Sequence, residues 1–285
     1  MRDPRLTPAR PDLAAAHLRG HVEAERFVEG EAATIVAPIA PLRRAPRADA
    51  PLDTEALMGE RVIVYEHNEE GWAWVQLKRD SYVGYLPADM LSPGEYNMTH
   101  RVRALRTFVF PGASIKLPPL LTLPMDARLE IVKTTYDFAI SAQGWHIPTR
   151  HVVPIHETES DFVAVALQYL GTPYLWGGRT SLGVDCSGLV QSAMAACGLF
   201  APRDSDMQEN ILGEALASEQ WDRLQRGDLV FWKGHVAIVA GNDMLLHANA
   251  FHMAAAMEPI AQAFERIAKS GSDITSVRRV KAKHA

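Results

Sequence analysis

Gly183-Val184-Asp185-Cys186-Ser187-Gly188-Leu189-Val190-Gln191 marks the point where a turn-rich run gives way to apolar residues at helical spacing. Leu189, Val190, Ala193, Met194 and Cys197 fall on one stripe and Gly198 is placed to end it, so the Cys186 sulfur is expected at a helix start. Unpaired backbone N–H groups and the positive end of the helix dipole favour a thiolate there, and the thiolate is the nucleophilic form. Asp185 reads as a cap rather than an acid catalyst. A cysteine on an amphipathic helix is, by itself, usually core, and Cys197 keeps that reading.

Working outward, Phe162, Val163, Ala166, Leu167 and Leu170 share a helix face that Asp161 can start and Gly171-Thr172-Pro173 stops. A third helix is expected near Ser205, with Ser205 and Gln208 as a capping-box pair. Strands follow at Asp228–Trp232, His235–Val239 and Met244–His247. Helices first and an antiparallel sheet second is an α+β arrangement. A three-residue loop at Ala240-Gly241-Asn242 would put His235 directly opposite His247, so that one imidazole could take the cysteine proton while the other orients it. A four-residue loop would turn His247 to the other face.

The chain before Pro154 has a different texture. Residues 12–27 read as a helix capped by Asp12, with Leu13, Ala14, His17, Leu18 and Val22 on its stripe. From about Ala33 to Leu91 short β-type runs alternate with turn residues, and the texture then repeats. Gly84-Tyr85-Leu86-Pro87 has its counterpart in Gly144-Trp145-His146-Ile147-Pro148, and Val62-Ile63-Val64-Tyr65 in Leu129-Glu130-Ile131-Val132. The repeat suits two small barrels in tandem and is similar to bacterial SH3-like domains. The expected division is a helical segment at 1–32, SH3-like domains at 33–92 and 93–155, and a third domain at 156–285.

Composition excludes several classes. With 285 residues, 47% hydrophobic and 22% charged, the chain is ordinary globular material. A net charge of -5 argues against nucleic acid as a partner, and the basic run Arg278-Arg279-Val280-Lys281-Ala282-Lys283 reads as a solvated end. No apolar run approaches a membrane span, and the N-terminus lacks the apolar core of a secretory signal, so a cytoplasmic protein is expected. Cys186 and Cys197, the two cysteines, would stand about 16 Å apart on one helix, beyond disulfide reach.

Five runs then occur in order: Gly171-Thr-Pro-Tyr-Leu-Trp-Gly-Gly, Val184-Asp-Cys-Ser-Gly-Leu-Val, Arg226-Gly-Asp-Leu-Val-Phe-Trp, Gly234-His-Val-Ala-Ile-Val and Leu246-His-Ala. Over about residues 156–260 they resemble the NlpC/P60 cell-wall cysteine peptidases. Tandem SH3-like domains ahead of such a module resemble the subgroup that cuts γ-D-glutamyl–diamino acid bonds of peptidoglycan stem peptides. The resemblance implies a papain-like core with Cys186 as nucleophile, His235 as base and His247 as the orienting third residue. It also implies that Asp204 and Ser205, in the run Arg203-Asp204-Ser205, hold the ammonium of an unblocked N-terminal L-alanine, with Tyr174 and Trp176 lining the cleft. Tyr85 and Glu60 are the candidates from the first SH3-like domain. A carboxylate buried beside an ammonium rejects an acylated terminus, because it would be left unpaired.

The expected partner is therefore a small peptide, L-Ala-γ-D-Glu-diamino acid, with no cofactor and no metal. Zinc held by Cys186, His235 and His247 is the rival reading of the same residues. Two further rivals are a wall-binding protein with a degenerate third domain and a thiol acyltransferase or amidase on another amide.

Overall fold

Short strands, rather than an initial helix, open the structure, a computed structural model that describes residues 2–280. Lys281, Ala282 and Lys283 of the basic run lie outside the described residues. The chain forms two compact units that part between Glu157 and Thr158.

In the first unit β1 (Leu13–Ala15) and β2 (Arg26–Val28) pair in parallel, joined through a 3-10 turn at Ala16–Leu18. This corrects the helix expected over residues 12–27. Leu13, Ala14 and Ala15 are all fully buried, which a one-sided helix stripe cannot achieve for three consecutive residues but a covered strand can. Gly20, at φ 78°, then turns the chain in a left-handed conformation. Asp12, the expected cap, instead pairs with Arg10 at 2.7 Å.

A seven-stranded antiparallel sheet follows, made of β3 (Glu31–Ile35), β4 (Ile39–Arg43), β5 (Leu52–Leu57), β6 (Arg61–His67), β7 (Trp72–Leu77), β8 (Val83–Pro87) and β9 (Leu91–Pro93). Its order is β5-β4-β8-β7-β6-β3-β9. The same unit continues with β10 (His100–Val102), β11 (Arg106–Val109), β12 (Leu121–Pro124), β13 (Arg128–Leu129), β14 (Ile131–Thr134), β15 (Phe138–Ser141), β16 (His146–Pro148) and β17 (Val152–Pro154). These make three small sheets, β13-β10-β17, β11-β12 and β14-β15-β16. Their core of Val102, Val109, Leu123, Leu129 and Ile147 also includes Met58, from the turn after β5. Gly59 permits that join: at φ 79° it lies so close to Arg128 that a Cβ would stand 2.6 Å from the Arg128 carbonyl oxygen.

The second unit opens on α1 (Phe162–Leu167), capped as expected by Asp161, which accepts from the amides of Val163 and Ala164. The short hairpin β18 (Arg179–Thr180) and β19 (Gly183–Val184) leads into α2 (Cys186–Ala196), whose residues are buried on nearly every side. Then come α3 (Ser205–Ile211), β20 (Glu214–Ala215), β21 (Asp228–Trp232), β22 (His235–Gly241), β23 (Met244–Asn249), β24 (Ala254–Pro259), α4 (Ile260–Lys269) and β25 (Ile274–Arg279). The antiparallel sheet runs β20-β25-β21-β22-β23-β24, with α2 against β22 and β23 and α4 against β23 and β24. Val230, Trp232, Val239 and Leu245 pack there with Ala263 and Ile267 of α4. No described helix is long and apolar enough to cross a membrane.

Candidate active site

Cys186 is the first residue of α2, and Asp185 is the cap: its Oδ1 accepts from the Gly188 amide at 2.7 Å. Its Oδ2 accepts from the Gly177 amide at 2.9 Å, which ties the loop before β18 to the helix start. Gly188 is required by space, since a Cβ there would lie 2.2 Å from the Gly178 carbonyl oxygen. Beneath this turn the fully buried Arg203 donates to Asp185 Oδ1 at 3.0 Å and Oδ2 at 2.6 Å, and to Ser187 Oγ at 2.9 Å.

The sulfur faces the start of β22. The Val236 and Ser187 amides bond to it and favour the thiolate, but burial, and after it the Asp185 charge, push the thiol up to about 12. The helix start alone therefore does not leave Cys186 ionised, contrary to the expectation drawn from its position. The Tyr174 hydroxyl lies close enough to be influenced by the Cys186 and Asp185 charges and, chiefly through burial, is pushed up as well.

The two histidines meet: His235 Nε2 lies 3.0 Å from His247 Nδ1. They meet by a different register from the one expected. Asn242 and Asp243, at φ 52° and 55°, form a two-residue turn with both central residues left-handed, as a type I′ hairpin requires. Gly241 pairs with Met244, but Val239 pairs with Leu245, so Ala240 is an extra, bulged residue. A two-residue turn alone would have sent the histidines to opposite faces; the bulge restores the parity, and the rings are diagonal neighbours rather than directly opposite. The His235 ring also packs on Trp232, with centroids 5.7 Å apart. Burial holds both imidazoles neutral, lowering His235 to about 3 and His247 to about 4.

Beyond His247 lies a residue that the sequence reading did not single out. His247 Nε2 is 3.1 Å from Glu258 Oε2, and Glu258 accepts from Arg266 Nε at 2.9 Å and Nη2 at 2.6 Å. In the β23–β24 register Glu258 faces Leu245 and Ala256 faces His247, so Glu258 is the diagonal neighbour of His247 on one face. The alternation in Ala254-Ala-Ala-Met-Glu-Pro was the available signal, masked by small residues with no β propensity.

Residues 171–265 match the NlpC/P60 family, and residues 42–91 match the bacterial dipeptidyl-peptidase SH3 domain. Dipeptidyl-peptidase 6 from Lysinibacillus sphaericus is 29% identical over 240 residues, covering 76% of this chain and 87% of that protein. The gamma-D-glutamyl-L-lysine dipeptidyl-peptidase of Bacillus cereus is 26% identical over 234 residues, covering 69% and 67%. The crystal structure of an NlpC/P60 family protein from Bacillus cereus ATCC 10987 superposes with a TM-score of 0.72 at 21% identity, over 87% of this chain and 99% of that one, which shows a shared fold. The chain carries an NlpC/P60 domain and is a cysteine peptidase. Its fold is the papain-like one of that family, with an SH3-like domain toward the N-terminus.

The other expected site residues of the peptidase fall in varied settings. Trp176 is 65% exposed, whereas Ser205 is buried as the first residue of α3. The α3 cap position is Asp204, and the capping box expected of Ser205 and Gln208 is absent: the Gln208 amide donates instead to the Ser187 and Pro202 carbonyls, both at 2.9 Å. That diversion follows from the full burial of Gln208, which must satisfy its donors inward. In the first unit the Tyr85 hydroxyl accepts from Arg10 Nη1 at 2.8 Å. Glu60 is buried with both oxygens engaged, one on Arg79 at 2.8 Å and one on the Leu57 amide at 3.1 Å.

Among the described residues one cluster carries metal-ligand chemistry, His247, His252 and Glu258, with donor atoms within 4.8 Å of one another. Glu258 is already held there by Arg266, so a dication would have to displace a guanidinium from both carboxylate oxygens.

Proposed function

We propose that the peptidase hydrolyses the γ-D-glutamyl–diamino acid bond of free peptidoglycan stem peptides that carry an unblocked N-terminal L-alanine, with meso-diaminopimelate as the diamino acid, in cytoplasmic recycling of the cell wall. The observation that carries this reading is the pairing of His235 with His247 on the strand whose Val236 amide bonds to the Cys186 sulfur. Its chemical direction is supported by relatives named for removing dipeptides from γ-D-glutamyl-L-lysine peptides, a reaction that measures two residues from a free amino terminus.

In this mechanism His235 draws the proton from Cys186 as the sulfur attacks the γ-amide carbonyl. Burial disfavours either ion alone, so the two charges form together and stabilise each other as substrate excludes the remaining water. Backbone N–H groups at the start of α2 hold the oxyanion, and protonated His235 delivers its proton to the leaving amine. Water, deprotonated by His235, then releases the γ-D-glutamyl product from the thioester. Tyr174 and Trp176 line the cleft. Asp204 and Ser205 are assigned to the alanine end, whereas Glu60, engaged by Arg79, is better suited to holding its own loop. The strands of residues 100–154 are assigned to a second SH3-like barrel.

The test offers L-Ala-γ-D-Glu-meso-diaminopimelate, its lysine analogue and an N-acetylated form. Release of L-Ala-γ-D-Glu from the first, loss of turnover on N-acetylation and loss with Cys186→Ala are expected; undiminished turnover by Cys186→Ala refutes the reading.

A further inference from the structure

Three strands in succession present His235, His247 and Glu258 as a diagonal chain on one face, and Arg266 of α4 closes its far end. Each link constrains the next. Arg266 donates to both Glu258 oxygens and lies with its guanidinium 4.3 Å over the Phe251 ring, so the carboxylate is anchored from behind. An ionised carboxylate only accepts hydrogen bonds, so the His247 Nε2 that meets it must carry the proton. A neutral His247 protonated at Nε2 has a bare Nδ1, which can only accept. The group 3.0 Å away, His235 Nε2, must then be the donor. His235 is neutral with its one proton on Nε2, and its Nδ1 is left as a bare lone pair.

We propose that Glu258, held by Arg266, is a positioning residue that fixes the tautomers of both histidines, so that His235 always offers an unprotonated Nδ1 to the nucleophile. The chain explains why a histidine can serve as the orienting third residue. An imidazole by itself can either donate or accept at Nδ1, and the wrong choice would hand His235 a proton to hold where it must be empty. The carboxylate removes that choice from a distance of two side chains. The inference rests on Cys186, His235 and His247 being the catalytic set.

The test begins with the wild-type chain, selectively labelled with 15N-histidine and read by long-range nitrogen–carbon-bound-proton spectra near neutral pH. His235 and His247 are both expected as Nε2-protonated tautomers, assigned through His235→Asn and His247→Asn. Glu258→Gln, which keeps shape but replaces an obligatory acceptor by an amide, is expected to mix the tautomers and lower kcat by about 10- to 100-fold with KM little changed. An Nδ1-protonated His235 in the wild type overturns the proposal, as does a folded Glu258→Gln variant whose kcat stays within about twofold of wild type. Should Glu258→Gln fail to fold, the wild-type spectrum alone decides. Failure of the catalytic assignment shows separately, as turnover that survives Cys186→Ala.

Discussion

Arg203 and Asp185 form a two-pronged ion pair, Nη1 to Oδ1 at 3.0 Å and Nη2 to Oδ2 at 2.6 Å, buried beneath the turn that launches Cys186. Asp185 is the cap of the nucleophile's helix, and its charge is among the forces raising the thiol; Arg203 offsets that charge and holds the cap in place. One residue thus supports both the geometry and the electrostatics of the sulfur.

Arg203→Met leaves Asp185 buried and uncompensated, so unfolding free energy should fall by about 3–5 kcal/mol in urea titrations. Removing both charges, as Arg203→Met with Asp185→Asn, should restore part of that loss. A single variant as stable as wild type would show that the pair is dispensable.

Cys186 and Cys197 are both buried, and Cys186 has the His235-bearing strand β22 beside it. Cys197→Ala is expected to keep its turnover and lose roughly 1 kcal/mol from a small cavity. Iodoacetamide should react slowly with Cys186 at pH 7.5, with a rate that climbs steadily into the alkaline range as the buried thiol ionises. A plateau below pH 7 would mean a preformed thiolate and would contradict the pKa raised by burial.

Stability should decline on the acid side because of the histidine pair. The ordinary histidine value is 6.5, and burial lowers His235 to about 3 and His247 to about 4. The unfolded chain therefore binds protons that the folded one refuses, starting near pH 6.5, and the stability present above that point is lost as pH falls toward 4 and 3. Unfolding free energies measured at pH 7.5, 5.5 and 4.5 should decrease in that order, less steeply in His235→Asn. Equal slopes for wild type and variant would remove His235 from the account.

Much of the site could be read before the fold, for reasons particular residues make plain. Asp185 before Cys186, and a glycine two residues after it, spell a capped helix that must approach another backbone closely. His235 and His247, separated by twelve positions, keep the same parity on a hairpin for any even shift of register. Residues 13–28 misled because Leu13, Leu18 and Val22 mimic a helix stripe, whereas burial of three consecutive residues and parallel pairing with Arg26–Val28 are long-range effects. Glu258 was invisible because its strand carries four small or flexible residues, and its role comes from a partner strand and from Arg266, eight residues on in α4.

The bulge at Ala240 leads to the sharpest test of how the site is assembled. Asn242-Asp243 sets the turn, and Ala240 is the residue passed over between the Val239–Leu245 and Gly241–Met244 pairs. Deleting Ala240 alone removes the extra residue and leaves Val239 opposite Leu245 and Ile238 opposite Leu246, so His235 keeps its face and its contact with His247. Deleting Val239 and Ala240 together puts Ile238 opposite Leu245 and steps the rest of β22 by one residue, which turns His235 away from His247. Peptidase assays should find the single deletion within about tenfold of wild type and the double deletion lowered by about 100-fold or more, with its melting temperature reduced as well. Full activity in the double deletion would show that the rings meet in another register, and a single deletion as inactive as the double one would show that the bulge itself, rather than strand parity, builds the site.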